Sequence, residues 1–252
     1  MRSLIERRGA VATVAPSMRE VPIDENPGAF AFAEELLAGN VDVMVFMTGV
    51  GARTLREAVE TRFSSESFLA ALGECTIVVR GPKPVAVLRE WNVRVDHRAV
   101  EPNTWREVLS IIDSDVPVEN FCVAIQEYGE PSDEFYRELE QRGARVLPVP
   151  VYRWAFPVDV EPLYTAIRST VVGGFDVLLF TSAQQVKNVL EAADQIGLRD
   201  EWLTAAGKCR IGSIGPTASD TLRSSGLHVD VEASPPKMGQ LVLQTIAGTE
   251  DT

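Results

Sequence analysis

The fold is decided by residues 75–82, Cys75-Thr76-Ile77-Val78-Val79-Arg80-Gly81-Pro82, which recur in outline 134 positions later as Cys209-Arg210-Ile211-Gly212-Ser213-Ile214-Gly215-Pro216. Each copy is a short apolar run followed by a glycine and by a proline suited to the first position of a helix. The same offset relates further pairs: Arg8-Gly9-Ala10 to Arg142-Gly143-Ala144, Asp42-Val43 to Asp176-Val177, Leu88-Arg89 to Leu222-Arg223, Val95-Asp96 to Val229-Asp230, Pro16 to Pro150 and Arg19 to Arg153. Residues 1–118 are therefore repeated as residues 135–252, which predicts two homologous domains with a ligand cleft between them.

Within each copy, short apolar runs alternate with amphipathic stretches, a pattern typical of β-α-β units. We predict two similar doubly wound α/β domains with parallel sheets. Gly9 and Gly143 stand where a helix needs a left-handed C-cap, and a strand is expected after each, the first near Val11 to Val14. Other strands are expected near residues 41–47, 75–79, 93–96, 121–126, 175–181, 210–214 and 227–231. Helices are expected near residues 51–60, 82–91, 104–113, 131–142, 184–196, 216–225 and 238–247.

Two stretches break this alternation at equivalent places in the repeat, Asp24 to Gly28 and the proline-rich Pro148 to Pro162. Both are interpreted as crossings between the domains. The prediction is one discontinuous domain of residues 1–22 plus 158–252, one inserted domain of residues 27–150, and linkers at 23–26 and 151–157.

The repeat register places the counterpart of residues 120–134, a strand and a glycine-containing loop, before Met1. Without that strand, the strand expected at Val11 to Val14 would lack a hydrogen-bonded neighbour. The expectation is a truncated form of the protein, or a rearranged discontinuous domain.

Composition excludes several classes of function. A net charge of −12 without any basic stripe argues against nucleic-acid binding. No apolar run approaches the ~20 residues of a membrane span, and no secretory signal precedes the first helix. The three cysteines lie in apolar runs without metal-ligand spacing and are expected to be buried thiols of a cytoplasmic protein. Two unmatched histidines, His97 and His228, make a metal site or a catalytic triad improbable.

Candidate binding residues follow the strands. Thr48 and Ser182 stand at equivalent strand-to-helix turns, either as plain N-caps or as ligand contacts. Gly49 follows Thr48, but the turn lacks the third glycine of a dinucleotide fingerprint, which disfavours a nucleotide-dependent enzyme. The helix starts at Gly81-Pro82 and Gly215-Pro216 favour anions. Their flanking residues are Arg80 and Lys83 in the first copy and Thr217 in the second.

One linker residue departs from the repeat. Tyr152 lies in Val151-Tyr152-Arg153, where the first copy has Met18. It either packs the linker against a domain or faces a ligand.

The stretches Asp176 to Ala183, Ile214 to Ala218, Ser234 to Pro236, and Arg142-Gly143-Ala144 followed by Val151-Tyr152-Arg153, taken in their order and spacing, resemble uroporphyrinogen-III synthases. The resemblance spans most of the chain. It implies two α/β domains joined by a two-stranded linker, and a lyase of haem biosynthesis. That enzyme closes the linear tetrapyrrole hydroxymethylbilane to uroporphyrinogen III, with loss of water and inversion of ring D, as a monomer without cofactor or metal.

The resemblance also implies residue roles. Tyr152 would help the hydroxyl leave, by hydrogen bonding or protonation. Substrate would be bound by these residues: Thr181, Ser182, Ala183, Gly215, Pro216, Thr217 and Lys237 on one side, and Thr48, Gly49, Arg80 and Lys83 on the other. The alternative is a non-catalytic relative that holds a small anionic ligand in the same cleft, since the acidic stretch Gln126 to Pro131 and the strand missing before Met1 depart from the family pattern.

Overall fold

The computed structural model describes residues 1–23 and 25–247, so Asp24 of the first expected crossing and residues 248–252 of the discontinuous domain lie outside the described part. The chain divides into two compact units. Unit 1 is Met1–Arg19 with Ala155–Thr252, and unit 2 is Glu20–Trp154.

The helices are α1 Arg2–Glu6, α2 Pro27–Leu37, α3 Gly49–Val59, α4 Ser65–Glu74, α5 Pro82–Glu90, α6 Trp105–Asp115, α7 Asp133–Gln141, α8 Glu161–Val171, α9 Ala183–Gln195, α10 Arg199–Ala206, α11 Pro216–Ser224 and α12 Met238–Ile246. The strands are β1 Arg19–Pro22, β2 Val43–Phe46, β3 Thr76–Val79, β4 His97–Arg98, β5 Cys122–Gln126, β6 Arg145–Val149, β7 Tyr152–Ala155, β8 Val177–Phe180, β9 Arg210–Ser213 and β10 Val231–Glu232.

Unit 2 contains a five-stranded sheet in the order β4-β3-β2-β5-β6. Every pair is parallel, with Val43 opposite Thr76 on one side of β2 and opposite Val123 on the other. The residues of β2 and β5 are all buried, as expected for strands covered by helices on both faces. Because the strand order reverses between β2 and β5, their carboxyl ends form the topological switch point at which doubly wound sheets bind ligands.

The sheet of unit 1 is shorter. Its order is β10-β9-β8, so β8 is an edge strand in the described part of the chain. The strand expected near Val11 to Val14 is wrong: residues 10–18 form neither helix nor strand, and Val11 is 98% exposed. In unit 2 the equivalent strand β6 pairs with β5, whereas unit 1 has no counterpart of β5 among its described residues to pair with. A groove of about 1600 Å³ lies along β8 instead.

Buried side chains explain why particular residues recur at the same offset. The Cys75 thiol donates to the Val41 carbonyl at 3.2 Å, and the Cys209 thiol donates to the Phe175 carbonyl at 3.1 Å, 34 residues back in each case. All three cysteines are free and buried, and burial raises the pKa of Cys75 to about 11. These thiols therefore have structural roles in the described fold.

A second repeated contact shifts two strand boundaries. The Asp96 carboxylate accepts from the Ile77 N–H at 2.8 Å, and the Asp230 carboxylate accepts from the Ile211 N–H at 2.7 Å. Each aspartate side chain thus satisfies a strand amide that a backbone carbonyl would otherwise bond. The strands expected at 93–96 and 227–231 consequently begin later, at His97 and Val231.

Four helices of ordinary length were not expected from the pattern: α2, α4, α8 and α10. Two of them begin in or beside the stretches interpreted as crossings, since α2 starts at Pro27 and α8 starts one residue before Pro162. Proline is compatible with the first turn of a helix, and both helices use it there. Strand β7 lies within the second stretch, and it pairs in a two-stranded sheet with β1, which precedes the first stretch.

Candidate functional site

The candidate site of unit 2 lies at its topological switch point and begins with Thr48, the residue that links β2 to α3. The Thr48 hydroxyl caps α3 by accepting from the Gly51 N–H at 2.9 Å. Its backbone N–H donates at 3.0 Å to the side-chain oxygen of Gln126, the last residue of β5. The glutamine amide also donates to the Glu127 carbonyl. Side chains from the ends of the two central strands therefore hold each other in place.

Tyr152 joins this group from the linker side. Its hydroxyl oxygen lies 3.4 Å from the Thr48 hydroxyl, and the residue is 2% exposed. Burial raises the pKa of Tyr152 well above its ordinary value, an effect that the Thr48 hydrogen bond and the Arg80 cation partly oppose. The phenol is therefore protonated at physiological pH and is able to donate a hydrogen bond.

The repeat reproduces this geometry in unit 1 with different chemistry. Ser182 is the counterpart of Thr48 and caps α9, accepting from the Gln185 N–H at 3.2 Å. Its hydroxyl lies 3.7 Å from the sulfur of Met18, the counterpart of Tyr152. The same backbone arrangement thus places a thioether in one unit and a phenol in the other, so the scaffold itself does not require a hydroxyl there.

The remaining predicted residues of unit 2 divide into buried and exposed positions. Gly49 is buried, and a Cβ atom on it would lie 2.9 Å from the Lys83 carbonyl, so only glycine permits the close approach of α3 to α5. The Lys83 side chain is exposed. Arg80 is partly buried, with its guanidinium 4.6 Å from the centre of the Tyr128 ring. Arg80 and Tyr152 lie in one cluster, whereas the side chain of Lys83 is solvated.

In unit 1, the predicted residues occupy three turns. Thr181, Ser182 and Ala183 link β8 to α9, and the Thr181 N–H donates to the Gln185 side chain at 2.7 Å. Gly215, Pro216 and Thr217 link β9 to α11, with Thr217 exposed. Lys237 is the exposed N-cap of α12. A Cβ on Gly215 would lie 3.5 Å from Pro236, which brings the last two turns together.

Three residues of the unit 2 cluster are not indicated by the repeat or by the family resemblance: Gln126, Tyr128 and Trp154. The Trp154 indole N–H donates to the Tyr128 carbonyl at 2.9 Å, and the two ring centres lie 5.2 Å apart. A usable signal was present, because Gln126 is a polar residue that closes an otherwise apolar strand. The acidic residues that follow Gln126 predict instead a stretch that disfavours an anionic ligand. In the structure the Glu127 carboxylate accepts a hydrogen bond from the Tyr136 hydroxyl at 2.7 Å.

The buried Glu127 gives a prediction for stability. Burial raises the pKa of this carboxyl group above that in an unfolded chain. Because the pKa of Glu127 is higher in the folded than in the unfolded chain, protonated Glu127 contributes its full stability below the unfolded-state pKa of ~4.3. This contribution is lost as the pH rises through the folded-state pKa. Glu127→Gln has no proton to lose, so its stability relative to wild type should increase from acidic to neutral pH. Urea unfolding at both pH values measures this difference.

The exposed Glu57→Gln is the matched control for that experiment. Its stability relative to wild type should not follow the same pH trend. A Glu127→Gln difference that is flat with pH would show that the carboxyl is not protonated preferentially in the fold.

The described residues form neither a cluster of metal ligands nor an open phosphate-binding turn. No group of three or more His, Cys, Asp or Glu side chains among them could hold a metal. The Thr48-to-Gly51 turn is not an open phosphate cradle, because a Cβ on Gly51 would overlap the Gln126 amide. No helix within residues 1–23 and 25–247 is long and apolar enough to cross a bilayer.

These observations define an α/β protein with two parallel sheets and polar residues gathered at the carboxyl ends of the strands. The sheet of unit 2 is doubly wound, whereas the described strands of unit 1 run in one direction without a reversal, so the expectation of two doubly wound sheets holds for unit 2 alone. Comparison with known proteins then identifies the family. The family model described as uroporphyrinogen-III synthase HemD matches residues 1–242, so the chain belongs to the uroporphyrinogen-III synthase family and the resemblance seen in the sequence is confirmed.

The chain is also similar to a curated protein and to solved structures. The uncharacterized protein YjjA of Bacillus subtilis (strain 168) is 24% identical over 246 residues, covering 96% of this chain and 88% of YjjA. A mutant uroporphyrinogen III synthase of the extremely thermophilic bacterium Thermus thermophilus superposes with a TM-score of 0.71 at 23% identity, covering 100% of this chain and 94% of the other. The Helicobacter pylori 26695 enzyme gives a TM-score of 0.52 at 14% identity, covering 91% and 89%. Likeness to these structures shows the fold.

Proposed function

We propose that this protein is a uroporphyrinogen-III synthase that closes hydroxymethylbilane to uroporphyrinogen III with loss of water and inversion of ring D, as a cytoplasmic monomer of haem biosynthesis. The observation that carries the proposal is the Tyr152 phenol held against Thr48 at the switch point of unit 2. Family membership supports the reaction class, a cyclising hydro-lyase.

The reaction needs little from acid–base groups. The lone pair of a pyrrole nitrogen expels the terminal hydroxyl and stabilises the resulting cation. The protein's main task is to hold a flexible, multiply charged chain in a productive conformation. Residues that bind carboxylates and one donor for the departing oxygen are sufficient.

Tyr152 suits the donor role. Its hydroxyl keeps its proton at neutral pH, as an ordinary phenol does, and because burial raises its pKa further it acts on the leaving oxygen by hydrogen bonding. The Thr48 hydroxyl can donate to the Gln126 side-chain oxygen, 3.4 Å away. The Tyr152 O–H can then donate either to the Thr48 oxygen or to a ligand. In the proposed reaction this O–H turns from Thr48 to the leaving oxygen. General-acid assistance of this kind is worth about 10² to 10⁴-fold in rate.

Carboxylates of the substrate would bind at helix starts and cations. In unit 2 these are Thr48, Gly49, Arg80 and Lys83. In unit 1 they are Thr181, Ser182, Ala183, Gly215, Pro216, Thr217 and Lys237. The N-termini of α3, α5, α9 and α11 supply backbone N–H groups and a favourable dipole for anions.

Expression of the full chain in a bacterial strain that lacks its own uroporphyrinogen-III synthase tests the proposal. Restored growth without added haem is the expected result. Accumulation of the protein in folded form without growth would contradict it. Tyr152→Phe, expressed at the same level, serves as the matched comparison.

One observation favours the alternative, a relative that binds a small anion without turnover. In the described chain, β8 has no partner on one edge, and this edge leads directly to Thr181 and Ser182. A binding protein tolerates an incompletely supported turn better than an enzyme does, because catalysis requires tight positioning. Binding of the tetrapyrrole without production of isomer III would support this alternative.

A further inference from the structure

Arg80 is a cation without a carboxylate partner among the described residues. Among the described residues its guanidinium has no hydrogen bond or ion pair, although its side chain is partly buried at the carboxyl end of β3. Burial lowers the pKa of Arg80, and the groups that oppose this effect are the phenols of Tyr128 and Tyr152 rather than any carboxylate. Removing a charge from water without pairing it costs free energy. A fold that retains such a group without a structural partner has kept it at a cost.

The repeat shows that the scaffold does not need this cation. Ile214 occupies the position of Arg80 in the second copy, directly before the glycine and proline that open the helix. The backbone is the same in both places, because the Arg80 N–H donates to Phe46 at 3.0 Å and the Ile214 N–H donates to Phe180 at 2.9 Å. An aliphatic residue is therefore compatible with this turn, and the backbone does not require the cation.

Aromatic rings connect Arg80 to the proposed donor. The guanidinium lies over Tyr128, 4.6 Å from the ring centre. Tyr128 packs edge-on against Trp154 with ring centres 5.2 Å apart, and Trp154 packs in the same manner against Tyr152 at 5.4 Å. Gly129, at φ +74°, is required beside them, since a Cβ on it would lie 2.6 Å from the Trp154 indole nitrogen. The guanidinium plane is thus oriented by stacking, with its N–H groups left for a ligand.

We infer that Arg80, Tyr128 and Trp154 form a carboxylate subsite in unit 2 that binds an acidic side chain of the pyrrole ring whose hydroxyl departs at Tyr152. Arg80 pairs with the carboxylate, and the two aromatic side chains orient the guanidinium and cover the ring. The identity of the pyrrole ring rests on the proposed function. The preference of the subsite for an anion does not rest on it. Arg80 is accordingly a specificity-determining residue.

The test is titration of the full-length protein with a monopyrrole that carries acetate and propionate side chains, followed by NMR. Arg80→Ile, the substitution that the second copy itself contains, should weaken binding by about 10- to 100-fold, the loss expected for a charge-assisted pair. Arg80→Lys keeps the charge but not the planar stack, so its affinity for the monopyrrole should lie between those of wild type and Arg80→Ile. Arg98→Ile removes an equal charge from an exposed strand position of the same unit and should bind as wild type does.

The dimethyl ester of the same monopyrrole is the ligand control, and it should bind wild type and Arg80→Ile equally weakly. Equal binding of the diacid by wild type and by folded Arg80→Ile would overturn the subsite. If Arg80→Ile does not fold, Arg80→Gln replaces it with the same expected loss. A protein without synthase activity whose diacid binding still depends on Arg80 refutes the proposed function alone, and an active synthase indifferent to Arg80→Ile refutes the subsite alone.

Discussion

Tyr152→Phe is expected to lower the turnover of hydroxymethylbilane by about 10² to 10⁴-fold, the usual worth of a positioned acid. KM should change little, because the substitution removes only an oxygen that acts on the departing hydroxyl. The fold should persist, since Thr48 keeps its bond from the Gly51 N–H and can donate to Gln126. The loss of one neutral hydrogen bond costs about 1 kcal/mol in stability. Steady-state kinetics with purified protein measures both constants.

Two variants control this experiment. Tyr164→Phe removes a phenol that donates to Gln195 in unit 1, away from any proposed role, and should retain full activity. Tyr152→Met copies the side chain that the repeat places at Met18, so it should fold and be as slow as Tyr152→Phe. A Tyr152→Phe enzyme as fast as wild type would remove Tyr152 from the reaction.

Gly51→Ala is expected to have the largest effect on structure. A Cβ at this position would overlap the side-chain amide of Gln126, which is buried and cannot yield without leaving the Thr48 N–H unpaired. Overpacking together with an orphaned amide costs roughly 2–5 kcal/mol. Hydrogen exchange read by mass spectrometry should show lost protection in β2 and β5.

Gly73→Ala is the matched control within the same unit. Gly73 lies in α4, and a Cβ added to it would meet no other atom within 4 Å, so alanine should stabilise the helix by about 0.5–1 kcal/mol. Unchanged protection of β2 and β5 in Gly51→Ala would mean that Gln126 does not hold the turn.

The central strands β2, β3 and β5 and most helices of unit 2 could be predicted because the hydrophobic pattern and the repeat agree there. The absence of a strand at Val11 to Val14 could not be predicted from these residues alone, because a strand depends on its hydrogen-bonded neighbour as much as on its own residues. Residues 10–15 are apolar except for Thr13, but the edge of β8 that does not face β9 carries no strand in the described chain. Pairing between distant segments decides that outcome, and the local sequence does not encode it.

The candidate site divides in the same way. Thr48 and Ser182 could be recognised from the turns they open, and Tyr152 from its departure from the repeat, with its role implied by the family resemblance. The roles of Tyr128 and Trp154 depend on contacts between residues 26 positions apart, which no spacing rule indicates. The lack of a carboxylate partner for Arg80 among the described residues is also a property of three-dimensional packing, although the sequence itself shows Ile214 at the equivalent position of the repeat.

The most direct measurement of the central claim is the isomer composition of the product. Hydroxymethylbilane is incubated with purified protein, the product is oxidised to porphyrin, and isomers I and III are separated chromatographically. The account predicts isomer III well above the level formed without protein, with a large decrease for Tyr152→Phe. Only the spontaneous isomer I, formed at the same rate with and without folded full-length protein, would contradict it.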